Sequence, residues 1–143
     1  MSAVLDASFL AAALVPSQVV EAAANRWKQL VLQRTQTIAP NLLQAEFVST
    51  VRRLERRRVL ADREVAGALS SFALAPIEFA WEPAWVDRAL EIARDMNLST
   101  IYDAIYLACA ETYDADLFTC DRQFCAAFGD PLPARVKLVS IAP

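Results

Sequence analysis

This chain of 143 residues contains no histidine and only two glycines. Without histidine there is no serine–histidine or cysteine–histidine catalytic pair and no HExxH zinc hydrolase. With so little glycine there is no loop of the kind that cradles a nucleotide phosphate. The three cysteines, Cys109, Cys120 and Cys125, lack CxxC spacing, so neither a disulfide framework nor a zinc site is expected. Cys109 lies in an apolar, helix-like segment and reads as core filler. No apolar run approaches the roughly 20 residues that a membrane span requires. The N-terminus has no basic region followed by an apolar one and a cleavage site, so no signal peptide and a cytoplasmic location are expected.

Excess positive charge is missing as well. Lys and Arg total 14 against 17 Asp and Glu, a net charge of −3, which argues against a protein that coats nucleic acid without specificity. The charge is uneven, however: Arg52, Arg53, Arg56, Arg57, Arg58 and Arg63 share one short segment. A local patch of this kind can hold phosphates on an acidic protein. The apolar fraction is 56%, much of it alanine, and the length suits one domain, residues 1–143, with a sizeable core.

Short apolar stretches alternate with amphipathic ones. Residues 2–6, 37–39, 77–79, 116–119 and 136–139 read as strands. Helices are expected over 8–14, 18–33, 43–58, from Asp62 through Phe72, over 84–96, 100–113 and 121–128. Within 18–33 the expected buried stripe is Val19, Ala23, Trp27, Leu30 and Val31. Alternation of this kind predicts an α/β sandwich with a mainly parallel sheet. Sites in such sheets form beyond the carboxyl ends of the strands. Phe72, Phe79, Trp81 and Trp85 read as core or dimer contacts rather than base-stacking platforms.

Four carboxylates stand in apolar surroundings: Asp6 after Ala3-Val4-Leu5, Glu46 within Leu42-Leu43-Gln44-Ala45-Glu46-Phe47-Val48, Asp103 within Tyr102-Asp103-Ala104-Ile105-Tyr106-Leu107, and Asp121 after Leu117-Phe118-Thr119-Cys120. Ionised groups beside an apolar core are costly unless compensated. A hard divalent cation compensates all four together, since it prefers oxygen ligands. The chemistry indicated is metal-assisted hydrolysis of a phosphodiester. Each residue also has a purely structural reading. Asp6 and Asp121 can cap the helices that follow them, Thr100 to Asp103 matches a capping box, and Glu46 can be a solvated helix residue.

These segments, in this order and spacing, resemble the PIN-domain ribonucleases, and most closely the VapC-type toxins of bacterial toxin–antitoxin pairs. The resemblance extends over nearly the whole chain. It implies a three-layer α/β sandwich, with a mainly parallel sheet of about five strands flanked by helices. It implies that Asp6, Glu46, Asp103 and Asp121 form an acidic site for Mg²⁺ or Mn²⁺, with Ser8 and Thr119 as accompanying hydroxyls. Cys120 departs from the pattern, which often has a smaller residue there. Endoribonuclease activity on structured RNA such as tRNA or rRNA is implied, together with homodimerisation and neutralisation by a cognate antitoxin. Glu46, Thr50, Arg53 and Arg57 fall on one side of a helix, which makes Arg53 and Arg57 the arginines expected to guide the RNA backbone.

Four other readings compare with this one. A PIN nuclease of RNA processing without a toxin role, or a catalytically inactive PIN-fold binding module, would share the same fold. A signalling receiver domain needs an acidic pair after the first strand, where this chain has Ala7 and Ser8 behind Asp6. Phosphatases of the haloacid-dehalogenase type need a second aspartate where Ser8 stands.

Overall fold

Ser2–Leu5 forms the first strand, β1, and its Ala3, Val4 and Leu5 are at most 1% exposed. Successive strand side chains point to opposite faces, so a strand buried at every position is covered on both. The computed structural model, which describes residues 1–140, builds a sheet around this strand. The other strands are β2 (Gln36–Pro40), β3 (Ile77–Ala80), β4 (Asp116–Thr119) and β5 (Val136–Leu138). Their order is β3-β2-β1-β4-β5, and every pairing is parallel. The register sets Ala3 beside Thr37 on one side and beside Asp116 on the other. The chain thus winds outward in both directions from the β1–β4 pair, and the carboxyl ends of those two strands border the crevice where the order reverses.

The helices are α1 (Ala7–Leu14), α2 (Glu21–Leu32), α3 (Leu42–Arg56), α4 (Asp62–Leu74), α5 (Ala84–Met96), α6 (Tyr102–Thr112) and α7 (Arg122–Phe128). They complete the expected three-layer α/β sandwich. In α3 only one stripe is buried, through Leu43, Phe47 and Val51, and the remaining faces are free to carry function. By contrast, α6 is buried at every position from Ala104 to Ala110 and packs on β1, β2, β4 and α5. Trp85 Nε1 donates to Thr112 Oγ1 at 2.8 Å, tying α5 to α6 in the core. Phe72 stacks on Phe47 with ring centroids 4.5 Å apart, so it belongs to the core, whereas Phe79 and Trp81 remain partly exposed.

Some local expectations shift. The second helix begins at Glu21 rather than Gln18, because Pro16–Gln18 forms a separate 3-10 turn after the Val15 break. Val19 lies in the connector and is 52% exposed, and Val31 also faces out; Ala23 and Leu30 carry the burial. Asp62 occupies the first helical position of α4, and Glu64 reaches back to accept from the Ala61 N–H at 3.0 Å. Among the described residues no helix is long and apolar enough to cross a membrane.

Candidate active site

Asp6 ends β1 and caps α1, with Oδ1 accepting from the Phe9 N–H at 2.9 Å and from the Ser8 hydroxyl at 2.6 Å. Asp121 does the same work after β4, its Oδ1 accepting from the Phe124 N–H at 3.0 Å. The capping and the site readings are therefore compatible. In each, Oδ1 is the oxygen that caps the helix. The Ser8 and Thr119 hydroxyls lie 3.2 Å apart and bridge the two strand ends. Ser8 Oγ also accepts from the Cys120 N–H at 2.9 Å, and Thr119 Oγ1 accepts from the Asp121 N–H at 3.0 Å. Asp6 and Asp121 are thus held by backbone and hydroxyl groups on adjacent strands, an arrangement with little freedom.

Glu46 projects from the exposed side of α3. Its Oε1 accepts from the Tyr106 hydroxyl at 2.6 Å, a bond between α3 and α6. Asp103 sits in the first turn of α6, where the helix dipole favours an anion. The Thr100–Asp103 capping box does not form: Ile101, not Thr100, holds the cap position and makes no side-chain cap bond. The Asp103 carboxylate takes no hydrogen bond among the described residues.

All four carboxylates line one open cleft of about 570 Å³. Its walls include Ser8, the α3 residues Leu42, Ala45, Ser49, Thr50 and Arg53, and Tyr102 and Tyr106 from α6. Arg53 donates to Thr50 Oγ1 at 3.0 Å, which holds its guanidinium at the cleft wall. Arg57, the C-cap of α3, does not line the cleft, although its N–H still bonds the Arg53 carbonyl at 3.1 Å. Thr119 is fully buried and supports the floor from below. Asp114 and Asp116 lie outside the cleft, and Asp114 pairs instead with Arg135 at 3.3 Å.

Burial, and for Asp6 and Asp103 the charges of neighbouring carboxylates, set the electrostatics of the cleft. Burial pushes the Asp6 carboxyl up to about 6 from its ordinary 3.8, against the lowering effect of bonds from Ser8, Thr119 and the Phe9 N–H. Burial also raises Asp103 to about 6, and the charges of Asp121, Asp6 and Glu46 add to it. Glu46 is raised by burial, with the Tyr106 bond and the Arg53 charge opposing. Desolvation and the Glu46 charge hold the Tyr106 hydroxyl protonated far beyond its usual range, so it remains a donor.

Oxygen donors with uncompensated charge suit a hard divalent cation. Among the described residues no three acidic side chains close into a preformed cage. Asp6, Asp103 and Asp121, with Glu46 at the α3 wall, are the residues placed to hold such an ion. Sequence reasoning missed Tyr106 as a partner of Glu46, although Tyr106 follows Asp103 by three residues and so shares its helix face.

Comparison with known proteins agrees with this geometry. Over 110 residues the chain is 29% identical to Ribonuclease VapC1 of Mycobacterium tuberculosis, covering 76% of this chain and 79% of that protein. Its fold matches a chain of a toxin–antitoxin complex from Klebsiella pneumoniae with a TM-score of 0.62 at 16% identity, over 98% of this chain and 100% of that one. It also matches Mycobacterium tuberculosis VapC20, a Sarcin-Ricin loop cleaving toxin, with a TM-score of 0.61 at 19% identity, over 99% and 100% of the two chains. At such identities these two likenesses speak to fold alone. Residues 3–128 match the PIN domain, a span that contains every residue lining the cleft, and the chain belongs to the PIN-domain family.

Proposed function

We propose that this protein is a Mg²⁺- or Mn²⁺-dependent endoribonuclease and the toxin of a type II toxin–antitoxin pair. The observation that carries the reading is the convergence of Asp6, Glu46, Asp103 and Asp121 on one cleft with a single arginine, Arg53, in its wall. The ribonuclease and toxin assignments draw support from the VapC1 relative and from the names of the structural neighbours. RNA is the substrate and a cognate antitoxin the inhibitory partner in this reading. Structured RNA such as tRNA or rRNA and a homodimeric state complete it.

When bound, the divalent ion supplies a water of lowered pKa and neutralises charge on the phosphoryl oxygens. The chain's own residues do the rest. Asp6 and Asp121 each offer the carboxylate oxygen that their helix caps leave unused, and Asp103 offers both of its oxygens. Glu46, oriented by Tyr106, faces the attacking water or a second ion. Arg53 holds the phosphodiester backbone as it enters along α3. The Ser8 and Thr119 hydroxyls keep the two strand-end aspartates in register.

Induction of this chain in bacteria, followed by mapping of new RNA 5′ ends, tests the proposal, with Asp6→Asn as the control. A few sharp ends, absent with the variant, are expected. Folded protein, free of antitoxin, that generates no new ends would overturn it.

A further inference from the structure

Of the two aromatic side chains that line the cleft, Tyr106 holds Glu46 and Tyr102 has no part in the acidic site. It is 57% exposed at the start of α6, immediately before Asp103. Among the described residues its ring contacts no other aromatic ring and its hydroxyl makes no hydrogen bond. The packing at this helix start is done instead by Leu98 and Ile101, which rest on the core. Tyr102 therefore stabilises little, yet a large aromatic face is held at the rim of a strongly acidic cleft.

A site that gripped only the phosphodiester backbone would need cations and hydroxyls at its rim, and the α3 wall already supplies Ser49, Thr50 and Arg53. An exposed aromatic ring offers what a backbone cannot use: a flat surface for a nucleobase. A base inside a duplex is already stacked on both faces and cannot reach such a ring. An unpaired base in a loop or bulge can be splayed out onto it. The cleft, at about 570 Å³, has room for a nucleotide beside the carboxylates.

We infer that Tyr102 is a stacking platform for an unpaired nucleobase next to the cleaved phosphodiester, and so a residue that selects which phosphate is cut. The inference rests on the nuclease reading and adds a positioning residue to it. Tyr102 acts by positioning: the base on its ring fixes which phosphate lies over Asp6, Asp103 and Asp121.

The test measures binding, in the Asp6→Asn background so that no probe is cut. The probes are a fluorescein-labelled single-stranded RNA of about 12 nucleotides and the same strand annealed into a duplex. Adding Tyr102→Ala should weaken single-strand binding about tenfold, while Tyr102→Trp should keep it within about twofold. The salt dependence of binding should keep its slope in both, since no phosphate contact is lost; a collapsed groove would change that slope. Duplex binding should be weak and indifferent to residue 102. Unchanged single-strand affinity in Tyr102→Ala, or equal loss in the Trp and Ala variants, overturns the stacking role. If that happens while the wild-type protein still cuts RNA in cells, the nuclease reading survives; absence of new RNA ends removes the nuclease reading itself.

Discussion

Tyr106 and Glu46, sixty positions apart in the chain, share a 2.6 Å hydrogen bond that joins α6 to α3 across the base of the cleft. The tyrosine can only donate in this bond, because burial and the carboxylate's own charge keep its proton in place. One Glu46 oxygen is thereby fixed, and the other is left to face the cleft. The bond also lowers the proton affinity of a carboxyl that burial raises.

Tyr106→Phe should therefore shift the acid limb of the pH–rate profile upward, since Glu46 loses the bond that opposes its burial. A fall in kcat of about tenfold is expected, with stability changed by only about 1 kcal/mol. Profiles of kcat against pH for the two proteins check this. A uniform loss at every pH, with no displacement of the limb, would count against an orienting role for Tyr106.

Asp6→Asn and Asp6→Ala should both abolish cleavage but differ in stability. Asparagine keeps an oxygen that accepts from the Phe9 N–H and the Ser8 hydroxyl, and alanine keeps none. Loss of the cap in the alanine variant should cost about 1 kcal/mol. Urea unfolding of the two variants measures the difference, and equal midpoints would contradict the capping account.

Asp103→Asn should make the metal-free protein slightly more stable, raising Tm by about 2 °C after allowance for solvent screening. Asp103 sits among Asp121, Asp6 and Glu46, and the substitution removes that repulsion. The same variant should lose most of the thermal shift that Mn²⁺ gives the wild-type protein. Thermal melts with EDTA and with Mn²⁺ report both effects. A fall in the metal-free Tm would mean that the repulsion is compensated by something else.

The pH dependence of metal-free stability has a definite sign. Asp6 binds its proton more tightly in the fold than in the unfolded chain, so the native state holds more protons between about 3.8 and 6. Stability must then fall as pH rises through that window. The full cost from Asp6 above it is about 3 kcal/mol. Asp103 adds in the same direction. EDTA-treated protein should melt higher at pH 5 than at pH 7.5, and Mn²⁺ should restore stability chiefly at the higher pH.

Arg53→Ala should raise KM about five- to tenfold, because its guanidinium is fixed at the cleft wall by Thr50. Arg57→Ala, beyond the last turn of α3, should change KM far less at the same salt concentration. Steady-state kinetics on the RNA identified by end mapping separate the two. Equal effects would indicate that the whole arginine segment contacts RNA.

Much of this architecture was legible in the sequence because its signals are local. Short apolar runs between amphipathic segments mark the five strands, and Asp6 and Asp121 follow two of them directly. The start of α2 was harder to read, since Val19 and Val20 extend the apolar pattern into a connector where Val19 faces solvent. Spacing alone also does not separate Arg53 from Arg57: Arg57 follows one turn later, with its N–H on the Arg53 carbonyl, yet of the two only Arg53 lines the cleft. The bond between Glu46 and Tyr106 has no local signature at all. It depends on α3 and α6 meeting at the sheet, which spacing along one helix cannot reveal.

The hydroxyl bridge between Ser8 and Thr119 joins positions 111 residues apart. Asp6 and Asp121 come together only when β4 has paired with β1, so a growing polypeptide holds no assembled cleft until β4 has emerged. Any fragment that stops short of β4 lacks the cleft, whatever else of it folds.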